Sequence, residues 1–283
     1  MKIGVIDIGS NTVRLAVYES ETLEVVKNGV NYAGLIAYVD DGVISDDGKR
    51  VLCSAVSEMK SLAEEAECDK TVAFATASLR DIADKEGLIR EVYEHTGIKI
   101  EIISGEKEAE YDYFGLKLHF DVKTGAVFDL GGGSGQLITF KDGTVLNYTS
   151  KKIGALKLYK TFVKETFPNR EEEEKIREYI KGELSGFLSD NNEFVFAMGG
   201  ASSAIKKLYK AMFGKIKDEF SISELKSFMD VPENIIKAVI PERLYTIRPA
   251  LIAIEEICNV LKTDKIKCVT CGVRDGFIYK LVK

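Results

Sequence analysis

A short apolar run that ends in an aspartate and breaks at once into a glycine-bearing turn occurs twice in this chain. The two copies are Val5-Ile6-Asp7-Ile8-Gly9-Ser10-Asn11 and Val127-Phe128-Asp129-Leu130-Gly131-Gly132-Gly133, and an apolar strand departs from each (Val13 to Tyr18; Leu137 to Phe140). Glycine and small polar residues let the backbone turn tightly and aim N–H groups at an anion. The aspartate offers a hard oxygen ligand for a divalent cation such as magnesium. Two such hairpins facing each other would clamp a phosphate chain from both sides. The bland alternative is an aspartate that merely caps its own turn; the duplicated context favours function.

Three other segments carry usable chemistry. Met198-Gly199-Gly200-Ala201-Ser202 ends a strand and opens a helix, a place where N–H groups and the helix dipole suit a phosphate. Arg80, in Ala75-Thr76-Ala77-Ser78-Leu79-Arg80-Asp81, follows another strand and could fork onto phosphate oxygens. It could equally pair with Asp81 or Asp84. Ser104-Gly105-Glu106-Lys107-Glu108-Ala109 starts a helix, and a carboxylate there could orient an attacking water. Spacing alone does not choose between Glu106 and Glu108.

The elements that must position these groups follow from periodicity. The first half reads as strands Ile3–Asp7, Thr12–Tyr18 and Leu23–Lys27, then a helix with Val51, Leu52, Ala55, Val56, Met59, Leu62, Ala63 and Ala66 at helical spacing. A strand (Thr71–Ala75), a helix ending near Gly97, a strand (Ile98–Ile103) and a helix capped by Ser104 complete it. The second half repeats the order with Ala126–Asp129, Gln136–Phe140 and Val145–Thr149, the last two joined by the hairpin turn Lys141-Asp142-Gly143. Helices on both sides of Pro168, a strand (Phe194–Met198), a helix (Ser202–Met212), a strand (Ile266–Thr270) and a last helix follow. The expected fold class is α/β: two similar lobes, residues 1–122 and 123–283, with a cleft between them.

Bulk properties exclude several classes. The 283 residues suffice for two domains, and 45% hydrophobic with 30% charged residues is an ordinary globular composition. A net charge of −6 argues against a broad nucleic-acid surface, so phosphates would have to be held by a local cluster of arginine, lysine, backbone N–H and metal. Met1-Lys2 runs straight into a strand, and no apolar run approaches a membrane span; the expected location is the cytoplasm, with no membrane partner. Cys268 and Cys271 form a single CxxC inside an apolar strand pattern and read as structural thiols. His95 and His119 are too isolated for a zinc site or a Ser/His/Asp triad. The run Arg170 to Glu174 reads as a solvated helix start.

In this order the motifs resemble the exopolyphosphatase / guanosine pentaphosphate phosphohydrolase (Ppx/GppA) family of the actin-like ATPase superfamily. The resemblance runs from Ile6-Asp7-Ile8-Gly9-Ser10-Asn11-Thr12 through Thr76, Leu79-Arg80-Asp81, Ser104 to Ala109, Asp129 to Ser134, Ile153-Gly154-Ala155 and Gly199-Gly200 to Gly272-Val273-Arg274-Asp275-Gly276. It implies two tandem ribonuclease-H-like domains with an interdomain cleft, and release of terminal phosphate from inorganic polyphosphate or guanosine pentaphosphate, usually with magnesium. By the same resemblance Glu108 is the general base and Arg80 the phosphate-binding arginine. Asp7 and Asp129 are the cleft aspartates, Asp129 the better magnesium ligand. Gly9, Ser10, Asn11, Gly131, Gly132, Gly133 and Ser134 form the phosphate loops, joined by Gly199 and Gly200.

Three positions depart from the pattern. Gln136 stands where the family usually has Glu, which removes a negative charge near the cation. Lys107 replaces a common Glu, and Asp84 a usual Asn. The helical domains that extend longer members are not expected. A magnesium-dependent phosphoanhydride hydrolase is therefore the leading expectation, with a nucleotide or alarmone sensor of weak turnover, motivated by Gln136, as the alternative. A kinase on the same scaffold fits the Arg80 and Glu108 motifs less well. An exposed apolar face on the second half could support a homodimer.

Overall fold

The computed structural model describes every residue except Leu188, Asn191 and Glu193. Contacts divide the chain into two compact units, Met1–Gly115 with Val273–Lys283, and Leu116–Gly272. The sequence pattern places the division at 122/123 and keeps the last helix with the second half. Here the division falls inside a helix, and the C-terminal segment packs with the first unit.

The first unit contains β1 (Lys2–Ile8), β2 (Val13–Glu19), β3 (Val25–Asn31), a two-residue hairpin β4 (Val39–Asp40) and β5 (Val43–Ile44), then helix α1 (Asp46–Glu65). β6 (Lys70–Ala75), α2 (Ala77–Arg80), α3 (Lys85–Thr96), β7 (Ile100–Ile102) and α4 (Gly105–His119) follow. The sheet order is β3-β2-β1-β6-β7, antiparallel through the first three strands and parallel from β1 onward.

Alternation on β1 divides the core. Ile6 and Ile8 join Leu15, Val17, Leu52, Val56 and Met59 on one face, and Ile3 and Val5 join Ala16, Tyr18, Phe74 and Tyr111 on the other. Asp7 has the same parity as Ile3 and Val5, so its carboxylate belongs to that second face.

The second unit holds β8 (Gly125–Leu130), β9 (Gly135–Lys141), β10 (Thr144–Lys151), α5 (Ala155–Phe162), α6 (Arg170–Glu183), β11 (Val195–Met198) and α7 (Gly199–Phe213). It continues with β12 (Glu219–Ser221), α8 (Ile222–Ser227), α9 (Glu233–Val239), α10 (Ile247–Leu261) and β13 (Lys265–Cys268). The order β10-β9-β8-β11-β13-β12 repeats the first sheet's pattern of antiparallel and parallel neighbours, with β12 added at the edge. The apolar α10 is the centre of this core, with Ala253, Ile254, Ile257 and Cys258 fully buried.

Several local expectations hold, and others need correction. Asp142 and Gly143 have φ of 50° and 77°, the left-handed pair that a tight hairpin requires. Gly97 closes α3 at φ 70°, and Ser104 Oγ accepts from the Lys107 N–H at the start of α4. The run after Arg170 is not wholly solvated: Glu172 turns inward and forms a capping box with Asn169. Residues 76–81 are not a simple loop, because Arg80 ends the short helix α2. β3 starts later than its apolar residues suggest, since Leu23 has φ 59° and belongs to the turn. α7 begins at Gly199, and Ser202, read as a start, already bonds back to the Met198 carbonyl at 2.9 Å. Cys268 is buried in β13 with its thiol pushed up to about 12 by burial, which removes it from thiolate chemistry.

The last helix, α11 (Val273–Val282), covers the Asp7 face of the first sheet. Phe277 stacks on Phe74 at 4.7 Å and meets Tyr111 edge-on at 5.5 Å. Gly276 lies against the Tyr111 carbonyl so closely that a Cβ would overlap it. Gly276→Ala is therefore expected to destabilise the protein by about 2 kcal/mol in urea unfolding, because backbone rather than a flexible side chain must yield. A wild-type midpoint would show that α11 is not seated there.

Candidate active site

The two aspartate turns have the same backbone. In the first, the Gly9 N–H donates to the Thr12 carbonyl at 2.9 Å; in the second, the Gly131 N–H donates to the Ser134 carbonyl at 3.0 Å. Each bond closes the turn two residues after the aspartate. The outgoing strand then returns along the incoming one, pairing Asp7 with Arg14 and Asp129 with Gln136. Paired residues share a face, so each aspartate has the side chain seven positions later beside it.

The rest of each unit anchors its turn through carbonyl groups. Ser10 and Asn11 accept from the N–H groups of Ile36 and Gly34 at 3.0 and 2.9 Å, and the Ile8 carbonyl accepts from the Ser78 hydroxyl at 2.7 Å. In the second unit, the first N–H groups of α5 are directed at the glycine loop: Ala155 donates to Gly131 O at 3.0 Å, Leu156 and Lys157 to Gly132 O at 3.0 and 2.9 Å. Gly154 allows that approach, since a Cβ there would overlap Gly132 and Gly133. The Gly199-Gly200 turn closes on the same place. Gly199, at φ 87°, touches the Asp129 carboxylate where any side chain would collide, and the Arg243 guanidinium covers Gly200.

The two aspartates differ in their surroundings. Burial pushes the Asp7 carboxyl above its usual range, and Arg274 and Arg14 act in the opposite direction. Beside it the Tyr18 hydroxyl donates to Asp275 at 3.1 Å, and burial first, then that carboxylate, raises its pKa. Asp129 has the neutral Gln136 as its cross-strand partner instead of an arginine. Gln136 is buried and its amide N–H groups donate to Ser134 Oγ at 2.9 Å and Ser150 Oγ at 3.0 Å.

Among the described residues no three His, Cys, Asp or Glu side chains gather into a metal cage. Magnesium does not need one; it is commonly held by one or two carboxylates, waters and substrate phosphate oxygens. Asp129, a single carboxylate with an uncharged partner, fits that mode. Asp7, flanked by two arginines, offers a cation less.

Arg80 and Glu108 meet in the first unit. Arg80 Nη1 and Nη2 donate to the same carboxylate oxygen, Glu108 Oε2, at 3.1 and 3.0 Å, and Nη1 also reaches the Ile103 carbonyl at 3.2 Å. Arg80 thus pairs with the glutamate in the first turn of α4 rather than using only Asp81 or Asp84. Glu108 is buried while Glu106, two positions earlier, is exposed. Of the two, Glu108 is the buried one and pairs with Arg80.

Residues 21–283 match the Ppx/GppA phosphatase family. The chain belongs to that family. Exopolyphosphatase 1 of Mycobacterium tuberculosis is 26% identical over 193 residues, 65% of this chain and 56% of that protein. The guanosine-5'-triphosphate,3'-diphosphate pyrophosphatase of Vibrio parahaemolyticus is 26% identical over 218 residues, 73% of this chain and 44% of that protein. The chain thus spans about half the length of the curated relatives it matches. Among solved structures, an exopolyphosphatase from Cytophaga hutchinsonii superimposes with a TM-score of 0.90 at 19% identity, covering 100% of this chain and 98% of that one. The Aquifex aeolicus Ppx/GppA family member gives 0.81 at 22%, with the same coverage. These likenesses establish a shared mixed α/β fold.

Arg14, Arg274 and Arg243 are site neighbours that the sequence pattern did not assign. Arg14 was readable, because an antiparallel register closing on Gly9 fixes it opposite Asp7. Arg274 sits in a motif of the family resemblance without a role there. Arg243 had no local signal, as it arrives from a 3-10 turn distant in sequence from Gly200.

The raised Asp7 carboxyl gives a pH prediction. Its folded pKa exceeds the unfolded value of 3.8, so as pH rises past 3.8 the unfolded chain releases its proton first and stability falls until the folded carboxyl also ionises. Asp7→Asn removes that loss. Its urea midpoint is expected to exceed wild type at pH 7, with the gain shrinking as pH approaches 3.8; a constant or negative difference would contradict the burial argument.

Proposed function

We propose that this Ppx/GppA family member is a phosphoanhydride hydrolase that removes terminal phosphate from inorganic polyphosphate or guanosine pentaphosphate. The Arg80–Glu108 pair carries the reading. A phosphoryl group that competes for the Arg80 guanidinium takes over its forked N–H donors and leaves the Glu108 carboxylate to orient a water. Substrate arrival would itself release the base, so water activation is tied to an occupied site. Phosphoryl transfer needs positioning and charge neutralisation more than a covalent nucleophile, and the glycine turns with Arg80 supply both.

Magnesium fits as the cofactor, held by Asp129 and phosphate oxygens; when bound it would neutralise charge on the transferring group. The shared strand order of the two sheets supports reading them as tandem ribonuclease-H-like domains of the actin-like type. The protein would act in the cytoplasm, free of nucleic acid and membrane. Among the described residues no helix is long and apolar enough to cross a bilayer. The neutral Gln136 opposite Asp129 supports a second reading, an alarmone sensor with slow turnover.

A phosphate-release panel over polyphosphate lengths, guanosine pentaphosphate, ATP and pyrophosphate, with and without magnesium, separates the two. Glu108→Gln is expected to lower turnover by at least about 100-fold while retaining substrate binding. Arg80→Lys should weaken both KM and kcat, because an ammonium cannot make the fork. Release that survives Glu108→Gln would remove the base assignment, and tight binding by wild type without release would favour the sensor.

A further inference from the structure

The likeness between the turns extends to their side chains. In the first turn the Arg14 Nε–H donates to the Thr12 hydroxyl at 3.1 Å; in the second the Gln136 Nε2–H donates to the Ser134 hydroxyl at 2.9 Å. Thr12 and Ser134 are the residues whose carbonyls close the turns, and Arg14 and Gln136 are the ladder partners of the aspartates. Four positions therefore repeat in order: carboxylate, closing glycine, hydroxyl, and a donor beside the hydroxyl.

Arginine carries no acceptor, so at this contact the Thr12 oxygen can only accept and its own proton must point elsewhere. The matching geometry in the second turn gives the Gln136 amide the same sense. Its N–H group occupies a lone pair of Ser134 Oγ and leaves the serine proton to donate. Both hydroxyls are buried, at 8% and 6% exposure, so each proton needs a partner. Each hydroxyl is held next to the ladder partner of the aspartate by that hydrogen bond.

We propose that Arg14 and Gln136 are positioning residues: each fixes the direction of a neighbouring hydroxyl, Thr12 or Ser134, so that its proton donates to a phosphate oxygen held in that turn. The inference rests on the phosphate-binding reading above. A carboxylate at position 136 could only accept, so it would draw the Ser134 proton away from the anion. Glutamine makes the second turn an anion-donor turn, as arginine does the first. Phosphate binding at the second turn is then less dependent on a cation than a glutamate would allow.

The probe is inorganic tripolyphosphate, measured by calorimetry in EDTA and again with magnesium. Ser134→Ala and Thr12→Val should each weaken binding in EDTA about tenfold, and Thr12→Ser should retain it. Gln136→Glu should lose as much as Ser134→Ala in EDTA and recover most of it with magnesium. The Ser134→Ala/Gln136→Glu pair should lose no more than either single change. In polyphosphate hydrolysis the same variants should raise KM more than they lower kcat, a split that general loosening of the fold would not give. Wild type that binds no tripolyphosphate overturns both this inference and the function reading. Wild type that binds while Gln136→Glu is unchanged in EDTA, or while the double variant is additive, overturns this inference alone.

Discussion

One backbone hydrogen bond, made once in each unit, sets the geometry on which everything else depends. The Gly9 N–H to Thr12 carbonyl bond and its counterpart from Gly131 to Ser134 reverse the chain within a few residues of an aspartate. Without that reversal, Asp7 would have no fixed neighbour at Arg14, nor Asp129 at Gln136. The closure also fixes strand parity, which decides that carboxylate and donor share one face. The carbonyls of both loops are anchored from outside, by Gly34, Ile36 and Ser78 in one unit and by the start of α5 in the other. The loops are thus held at their acceptor side, and groups that could face an anion need no rearrangement before it arrives.

Charge is distributed unevenly over this common frame. The protein is acidic overall, with a net charge of −6, so a polyanion gains nothing from its long-range field. In the first unit Arg14 and Arg274 offset Asp7 electrostatically, and Arg80 is forked onto Glu108. In the second unit the guanidinium near the turn is Arg243, placed over Gly200, and the partner of Asp129 is uncharged. The first turn is therefore balanced by fixed cations. In the second, the aspartate has a neutral residue as its ladder partner.

Much of this was legible in the sequence because it is local. Apolar runs that end in Asp and a glycine turn, the Asp142-Gly143 hairpin and the Gly97 stop are decided by residues a few positions apart. The repeated succession of strands and helices along the chain followed from repetition of these signals. What the sequence hid was decided by distance along the chain. The C-terminal helix reads as the end of the second half, yet Phe277 stacks on Phe74, so its aromatic face completes the first core. Glu108 and Glu106 look alike until burial separates them. The Arg80 pair marks the difference, since Glu108 accepts from both guanidinium nitrogens on one oxygen.

The pairing of Arg80 with Glu108 also constrains how a hydrolase built on this chain could avoid wasted chemistry. A buried carboxylate bound by two N–H groups on a single oxygen is a stable arrangement, and breaking it by removing one partner would leave the other poorly satisfied. A phosphate is an oxyanion able to replace the carboxylate at the guanidinium, because its oxygens accept from both N–H groups. On the proposed function, the resting pair would hold the arginine and the glutamate together until a phosphate oxygen competes for the guanidinium.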